Sequence, residues 1–347
     1  METISVIIPV YNSKDYLENC VASVAEVNSC SETSYVHEII LIDDGSTDGS
    51  SLLCDKMALV EDFMDCEIRV IHQKNRGVSA ARNVGLQMAT GTFILFMDSD
   101  DTIDARKLVE LMEIVSQNTT IEMIVFGLTF DYYSGERVYR QDIMVPPVEG
   151  IKTVKECSKL LFSLFQSNSI SPLWNKIIRK SIIEEAGIRL KEDMFLYEDL
   201  EFSLRVMAQC NTIYFCQEPV YHYRQMNDGG NAGRRLKRVE HIPELVAKIE
   251  DSLDSFDNAN EVLLPLYLIL AREKLSCAAR EEIDALCSDF RVWIDSRALL
   301  ERIKDDRYSM LLYHGRRREL WQKRRISKMR HKIANTIKKL IGDYRKW

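Results

Sequence analysis

Apolar runs and short polar punctuation alternate along the first third of the chain in a repeating unit. Ile4-Ser5-Val6-Ile7-Ile8-Pro9-Val10 is a β-branched run that stops at Tyr11-Asn12-Ser13 and predicts a first strand. Leu17, Cys20, Val21 and Val24 then recur at helical spacing, with Asn12 or Ser13 as candidate caps. After a loop from Asn28 to Ser34, Val36 to Ile42 predicts a second strand that ends in Asp43-Asp44-Gly45-Ser46-Thr47-Asp48, followed by a helix from Ser50 to about Val60. A third strand, Ile68 to His72, opens into Gln73-Lys74-Asn75-Arg76-Gly77, and the helix Val78 to Ala89 carries Arg82 and Asn83 in its first turns. The fourth strand, Thr92 to Met97, is a continuous apolar run after Gly91, too short to span a membrane, and it stops on Asp98-Ser99-Asp100-Asp101.

Strand-helix repeated in this way is the pattern of an open parallel sheet with right-handed crossovers. In such sheets ligands sit outside the carboxyl ends of the strands. Each predicted carboxyl end here carries polar, acidic or glycine-containing residues: Tyr11-Asn12, Asp43 to Asp48, Asn75 to Gly77, and Asp98 to Asp101. Singly, each is ordinary turn composition. Together they mark one rim of one sheet.

Acids gathered at a strand end repel one another unless a positive group sits there, and a hard divalent cation with oxygen ligands is the usual remedy. The plainer alternative is that Asp101 or Asp104 caps the next helix, whose inner face is Leu108, Leu111, Met112 and Val115. The first strand is not followed by G-x-G-x-x-G, and a Walker A loop is absent, so glycine-rich backbone is not the main phosphate cradle. An acidic cluster with Arg76 and Arg82 nearby suits a diphosphate held through a metal bridge, with a nucleoside across the first two strand ends where Asp43 or Asp44 accepts from a base N–H.

Beyond the predicted strand Glu122 to Gly127, the polar stretch from Tyr132 to Pro147 reads as a hairpin or loop over the cleft. A helix over Ser158 to Phe165 leads into Ser171-Pro172-Leu173-Trp174-Asn175-Lys176, where Trp174 is either a core residue or part of a site. Glu198-Asp199 opens a further helix, and alone would be a macrodipole complement. After strand-like Thr212 to Cys216 comes Val220-Tyr221-His222-Tyr223-Arg224, then Asn227-Asp228-Gly229-Gly230-Asn231, which has the composition of a mobile loop. From Arg235 the pattern turns helical, with a Leu/Ala-rich stretch to Ala285.

Composition changes this picture little. The chain has 347 residues, 46% hydrophobic and 29% charged, ample for a large folded domain with an appendage. Nine cysteines without a C-x-x-C pair suit reduced thiols in a cytoplasm, and Met1-Glu2-Thr3 has no basic lead of a signal peptide. Charge matters more. The net −7 conceals a tail, Arg316 to Trp347, that carries +11 and leaves −18 on the remainder. An acidic body argues against nucleic acid as a partner. In the tail, Ile326, Met329, Ile333, Ile337, Leu340 and Ile341 form one face of a basic amphipathic helix, either packed on the body or lying as a peripheral anchor on the inner face of an anionic membrane.

Val6 to Asn12, Ile42 to Ser50, Asn75 to Asn83 and Asp98-Ser99-Asp100-Asp101 resemble, in order and spacing, the successive motifs of family 2 glycosyltransferases of the bacterial polysaccharide-synthesis type. The resemblance implies a GT-A fold, an α/β Rossmann-like and mostly parallel sheet flanked by helices, with residues 1–232 as the catalytic domain. Residues 1–105 would be its nucleotide-sugar half, 106–232 its acceptor half, and 233–347 a helical extension. It implies transfer from a nucleotide-diphosphate sugar, with a UDP-sugar as first choice, to a glycan or lipid-linked saccharide hydroxyl, with inversion and Mn²⁺ or Mg²⁺ as cofactor. By the same resemblance Asp44 contacts the base, Asp98 the nucleoside or ribose, and Asp100 the metal, with Asp98 and His222 as further metal candidates. Pro9, Tyr11, Asn12, Asp43, Asn75, Arg76, Gly77, Arg82, Ser99 and Arg224 complete the donor site, and Trp174, Asn175, Lys176 and Glu198 stand on the acceptor side. Asp199 is implied as the general base, which an inverting transfer needs opposite the leaving diphosphate.

Two rivals remain at this stage. Asp98-x-Asp100-x-Thr102 also fits the nucleophile motif of haloacid-dehalogenase-type phosphatases, although that family places it after the first strand and here three strands precede it. The other rival is a non-catalytic sugar-nucleotide-binding protein.

Overall fold

The structure, a computed structural model, describes residues 2–59, 66–226, 242–256, 259–277, 282–316 and 319–320. Strands β1 (Ile4–Val10), β2 (Val36–Asp43), β3 (Glu67–His72) and β4 (Phe93–Phe96) alternate with helices α1 (Leu17–Ser29), α2 (Ser50–Ala58) and α3 (Val78–Met88). The four strands are mutually parallel, in the order β3-β2-β1-β4. This is the arrangement that the apolar periodicity predicts. β4 is fully buried along its length because helices cover both faces of the sheet, and each such Ile or Leu contributes roughly 2 kcal/mol. Helix α3 lies close on β1 at Gly85, where a Cβ would fall 2.3 Å from Ile7 Cγ2. That contact fixes how far α3 projects Arg82 toward the strand ends.

The second half of the sheet is mixed. β9 (Lys176–Arg179) runs antiparallel to both β4 and β6 (Met123–Ser134), and β10 (Thr212–Met226) runs parallel to β6. β5 (Thr102–Ile103), β7 (Arg137–Met144) and β8 (Gly150–Thr153) add antiparallel pairings at β10, β6 and β10 respectively. Helices α4 (Ala105–Gln117), α5 (Val154–Gln166), α6 (Lys180–Glu185) and α7 (Glu198–Gln209) complete this half.

Several local details decide between alternatives of the sequence reading or correct it. Asp104, not Asp101, caps α4, its Oδ1 accepting from the Lys107 N–H at 3.1 Å. Tyr16 occupies the N-cap position of α1, without a side-chain cap bond. Asn12 and Ser13 are instead drawn to the second strand end, because the Ser46 and Ser50 hydroxyls accept from their backbone N–H groups. The Tyr132–Pro147 stretch is the β6–β7 hairpin. Helix α5 begins at Val154 on a capping box made by Thr153 and Glu156.

The chain divides into two compact units, residues 1–230 with 252–258, and residues 231–251 with 259–347. The second contains α8 (Ile242–Glu250), α9 (Asn260–Cys277), α10 (Glu282–Ser296), α11 (Leu300–Ile303) and α12 (Arg307–Tyr313). Its core includes Tyr267 against Phe290 and Trp293, with ring centroids 5.3 and 4.7 Å apart. Among the described residues no helix is long and apolar enough to cross a membrane. The amphipathic tail face from Ile326 onward and the Asn227 to Asn231 loop lie outside the described residues.

Candidate active site

The acidic turn after β4 is held by the far side of the sheet. The Asp98 N–H donates to Tyr221 Oη at 3.1 Å, and that hydroxyl donates to Asp101 Oδ2 at 2.7 Å. The Arg224 N–H donates to the other Asp101 oxygen at 2.7 Å. Asp101 is therefore a structural tie between the turn and β10. Burial, then the charges of Asp100 and Asp98, push its carboxyl well above the ordinary range. Ser99 faces the first strand end, its Oγ 2.5 Å from that of Ser13.

Asp100 presents its side chain to solvent. Loss of hydration beside the neighbouring residues and then the Asp98 charge push its carboxyl up to about 6, against the pull of Arg224. The Arg224 guanidinium lies 3.6 Å over the Tyr133 ring and 4.9 Å from that of Tyr16, with Nε donating to the Asp100 carbonyl at 3.3 Å. A hard cation fits Asp100 as an oxygen ligand, and it would also offset the Asp98 charge, the second cause that raises this carboxyl. The other expected metal ligands do not gather there. Asp98 Oδ1 accepts from Arg82, and His222 Nδ1 lies 3.0 Å from Asp131 Oδ2. Among the described residues no group of three or more His, Cys, Asp or Glu forms a metal cage. Such a site would be completed by diphosphate oxygens and water, the usual manner for Mg²⁺.

Arg82 joins the two halves of the site. It is 3% exposed, and it donates through Nη2 to Asp98 Oδ1 and through Nη1 to Asp199 Oδ1, each at 2.8 Å. Burial opposes its charge, but Asp199, Asp98 and Glu198 together raise its pKa. Asp199 belongs to the first turn of α7, whose Leu200, Phe202, Leu204 and Val206 are buried. The residue before the helix, Tyr197, holds φ at 59°, a left-handed conformation that costs free energy for a non-glycine residue. Burial pushes the Asp199 carboxyl upward, Arg82 pulls it down, and Glu198 and Asp98 raise it again. Asn83, one position on from Arg82, binds the Leu190 backbone twice, at 2.8 and 2.9 Å, fixing the segment that leads to α7.

A second polar corner lies between β1, β2 and the 73–77 loop. Asp44 accepts from the N–H groups of Arg76 and Gly77, each at 2.8 Å, and from Gln73 Nε2 at 2.7 Å. Gly45 permits the approach of this loop, since φ is +75° and a Cβ would stand 3.0 Å from the Asn75 nitrogen. Asn12, also left-handed with φ 54°, accepts from the Thr47 N–H at 2.8 Å. Pro9 pairs with Ile42, one step before Val10 meets Asp43. Tyr11 is half exposed, and Asn75, Arg76 and Gly77 are open to solvent. Arg76 reaches Glu192 at 2.9 Å.

Trp174, Asn175 and Lys176 do not form an open acceptor face. Trp174 is stacked on Tyr221 and Tyr223, with centroids 4.7 and 5.2 Å away. Lys176 is fully buried, its ammonium held by the Ser169 carbonyl at 3.0 Å, Asn175 Oδ1 at 2.8 Å and the Pro172 carbonyl. The apolar neighbours Leu173, Ile177 and Ile178 explain the burial: Asn175 and Lys176 sit between them and are carried inward with them. Glu198 is buried as well.

One participant left no sequence signal beyond its place at a strand end. His72 sets Nδ1 3.0 Å from Asp43 Oδ2 and Nε2 2.9 Å from Asp55 Oδ1.

Residues 5–187 match the sequence model of glycosyl transferase family 2. Among curated relatives, the uncharacterized glycosyltransferase EpsJ of Bacillus subtilis is 30% identical over 64% of this chain and 61% of its own length. The cholesterol galactosyltransferase of Borreliella burgdorferi is 28% identical over 63% of this chain and 59% of its length. The chain thus spans about three fifths of the length of these relatives. Among solved structures, Staphylococcus aureus TarS 1–349 in complex with UDP superposes with a TM-score of 0.62 at 19% identity, covering 94% of this chain and 90% of that one. The mannosyltransferase PcManGT from Pyrobaculum calidifontis, in complex with GDP-Man and Mn²⁺, gives 0.51 at 14% identity over 94% and 87%. At these identities the likeness is one of fold.

Proposed function

The chain belongs to glycosyl transferase family 2, and from that premise we propose that it moves a sugar from a nucleotide-diphosphate sugar, a UDP-sugar first among them, to a hydroxyl of a glycan or lipid-linked saccharide, inverting at the anomeric carbon. The family match disfavours the phosphatase reading, as does Asp98, which is bonded to Arg82 where that reading needs a free nucleophile. The donor class is supported by the UDP and UDP-GlcNAc held by TarS and the GDP-Man held by PcManGT.

The observation that carries the reading is the shared guanidinium. Arg82 binds a donor-side carboxylate and an acceptor-side carboxylate at once, so the group proposed to position the nucleoside and the group proposed to take the acceptor proton are set at a fixed separation. Such prealignment is worth several powers of ten when reacting groups must meet. Asp199 accepts the proton of the acceptor hydroxyl as that oxygen attacks the anomeric carbon, and the diphosphate departs from the opposite face. Burial keeps Asp199 basic enough for this, while Arg82 keeps it ionised before the acceptor arrives. Arg224, stacked on Tyr133, and Arg76 at the loop tip are the cations proposed to meet the diphosphate. A divalent ion at Asp100, bound, would neutralise charge growing on the leaving diphosphate. The basic tail and a peripheral location at the inner membrane face belong to the same proposal, as the means of bringing a lipid-linked acceptor within reach.

A panel of nucleotide sugars with Mn²⁺ or Mg²⁺, read as released nucleoside diphosphate, tests it. Release from at least one donor, dependent on the divalent ion, is expected. Hydrolysis of simple phosphomonoesters with no release from any sugar nucleotide would favour the phosphatase.

A further inference from the structure

His72 is the last residue of β3, and both of its ring nitrogens face carboxylates, Asp43 Oδ2 at 3.0 Å and Asp55 Oδ1 at 2.9 Å. A neutral imidazole has one N–H and one lone pair, so it satisfies only one carboxylate and turns a lone pair toward the other. The doubly protonated ring satisfies both. The hydrogen bonds to Asp43 and then Asp55 accordingly raise the ring's pKa above its ordinary value. The neighbours are these two acids, from β2 and α2, with Ser51 Oγ of α2 at 3.2 Å from Nδ1. The Cys54 thiol beside Asp43 is pushed up to about 12 by burial and stays neutral, and Asp48 is engaged by Ser50 and the Lys14 N–H. Among the described residues, neither Asp43 nor Asp55 forms an ion pair with a lysine or arginine.

Asp43 is 3% exposed, and its Oδ1 accepts from the Ser46 N–H at 3.0 Å. It therefore closes the turn that carries Asp44, the residue that clamps the 73–77 loop. The His72 ring meets its other oxygen, and the Ser46 and Ser51 hydroxyls also bond this carboxylate. We propose that the doubly donating His72 ring is a positioning residue for the donor: by pinning Asp43 it fixes the corner between the second and third strand ends that receives the nucleoside diphosphate. The inference rests on the donor reading above and adds to it a residue that touches neither the diphosphate nor the acceptor. When the ring loses its proton, Asp43 and Asp55 share one donor between them, the hold of the ring on the turn weakens, and the corner gains negative charge against an anionic ligand. Donor affinity then falls while the transfer step itself is unchanged.

The test is binding of UDP and GDP to the full chain by titration calorimetry over roughly pH 6 to 9, comparing wild type with His72→Gln and Asp55→Asn. The nucleotide's own phosphate titration is common to all three proteins, so the comparison is the ratio of dissociation constants. His72→Gln is expected to bind about tenfold more weakly at the acid end, the loss of one charge-assisted contact, and the ratio to close toward one as pH rises. Asp55→Asn is expected to match wild type at the acid end and, as pH rises, to begin losing affinity earlier than wild type, because one of the two acids that raise the ring is gone. Turnover at saturating donor stays within about twofold in both. Superimposable profiles for wild type and a folded His72→Gln overturn the inference. If His72→Gln fails to fold, an unshifted Asp55→Asn profile overturns it alone. Failure of wild type to bind either nucleotide at any pH would instead overturn the donor reading itself.

Discussion

Asp199 and Arg82 are joined by a 2.8 Å hydrogen bond across 117 positions of sequence, and the second arm of the same guanidinium holds Asp98 at the same distance. A planar fork serves two carboxylates in a way that a point charge cannot. Arg82→Lys is expected to fold but to lose about a hundredfold in turnover, because one ammonium cannot hold both acids in register. Arg82→Ala leaves two partly buried carboxylates unpaired and is expected to lower stability by about 2 kcal/mol, less than a fully buried pair because solvent reaches both acids. Steady-state kinetics and urea denaturation measure the two effects. Full activity in the lysine variant would mean that the bridge is only structural.

Lys176 is a brace for the Ser169 to Asn175 segment, and its burial pulls its pKa down to about 7. Lys176→Met removes the charge but strands three oxygen acceptors, so stability is expected to fall by about 2 kcal/mol in urea denaturation. If Lys176 met the acceptor directly, stability would be unchanged and only the acceptor KM would rise.

Glu38 lies buried in β2, where it accepts from Ser5 and Thr90 and pairs with Arg69 at 2.8 Å. Burial opposes its charge, but these bonds win and draw its pKa down to about 2. Its folded value is depressed, so its contribution is complete above the unfolded pKa near 4.5 and is lost as pH falls toward 2. The loss is expected to reach about 3 kcal/mol. Thermal denaturation from neutral to acid pH should show a steep acid limb that Glu38→Gln flattens, starting from lower stability at pH 7.

Chelation of divalent ions is expected to abolish transfer, and Mn²⁺ or Mg²⁺ to restore it. Asp100→Asn should lose about a hundredfold or more of turnover and fail to recover with added ion, while still binding free nucleoside in the corner built by Asp43 and Asp44. Rescue of Asp100→Asn by excess ion to the wild-type rate would displace Asp100 from this role.

The parallel half of the sheet was legible because β1, β2 and β4 are buried nearly throughout and their apolar runs end abruptly on polar residues, while the half-exposed β3 still shows a β-branched run. The acids of the rim were legible for the same reason, but their partners were not. Sequence spacing says that Asp98, Asp100 and Asp101 are adjacent; only the fold shows that Asp101 is consumed by Tyr221 and the Arg224 backbone, and Asp98 by Arg82. The sequence leaves Trp174 open between core and site and puts Lys176 on the acceptor side, whereas Lys176 is paired into β9 and Trp174 and Asn175, just before it, are buried with it. His72 was passed over because one histidine at a strand end has no pattern around it. Its significance comes from Asp55, a helix away, which periodicity reads as an ordinary exposed acid.

The central claim is that Asp199 takes the acceptor proton while donor binding rests on other residues, and Asp199→Asn separates the two. UDP affinity and turnover measured on one preparation of that variant give the direct answer. Turnover is expected to fall by about 10²- to 10⁴-fold with the UDP dissociation constant within a fewfold of wild type. Near-normal turnover, or loss of UDP binding in step with activity, would contradict the account.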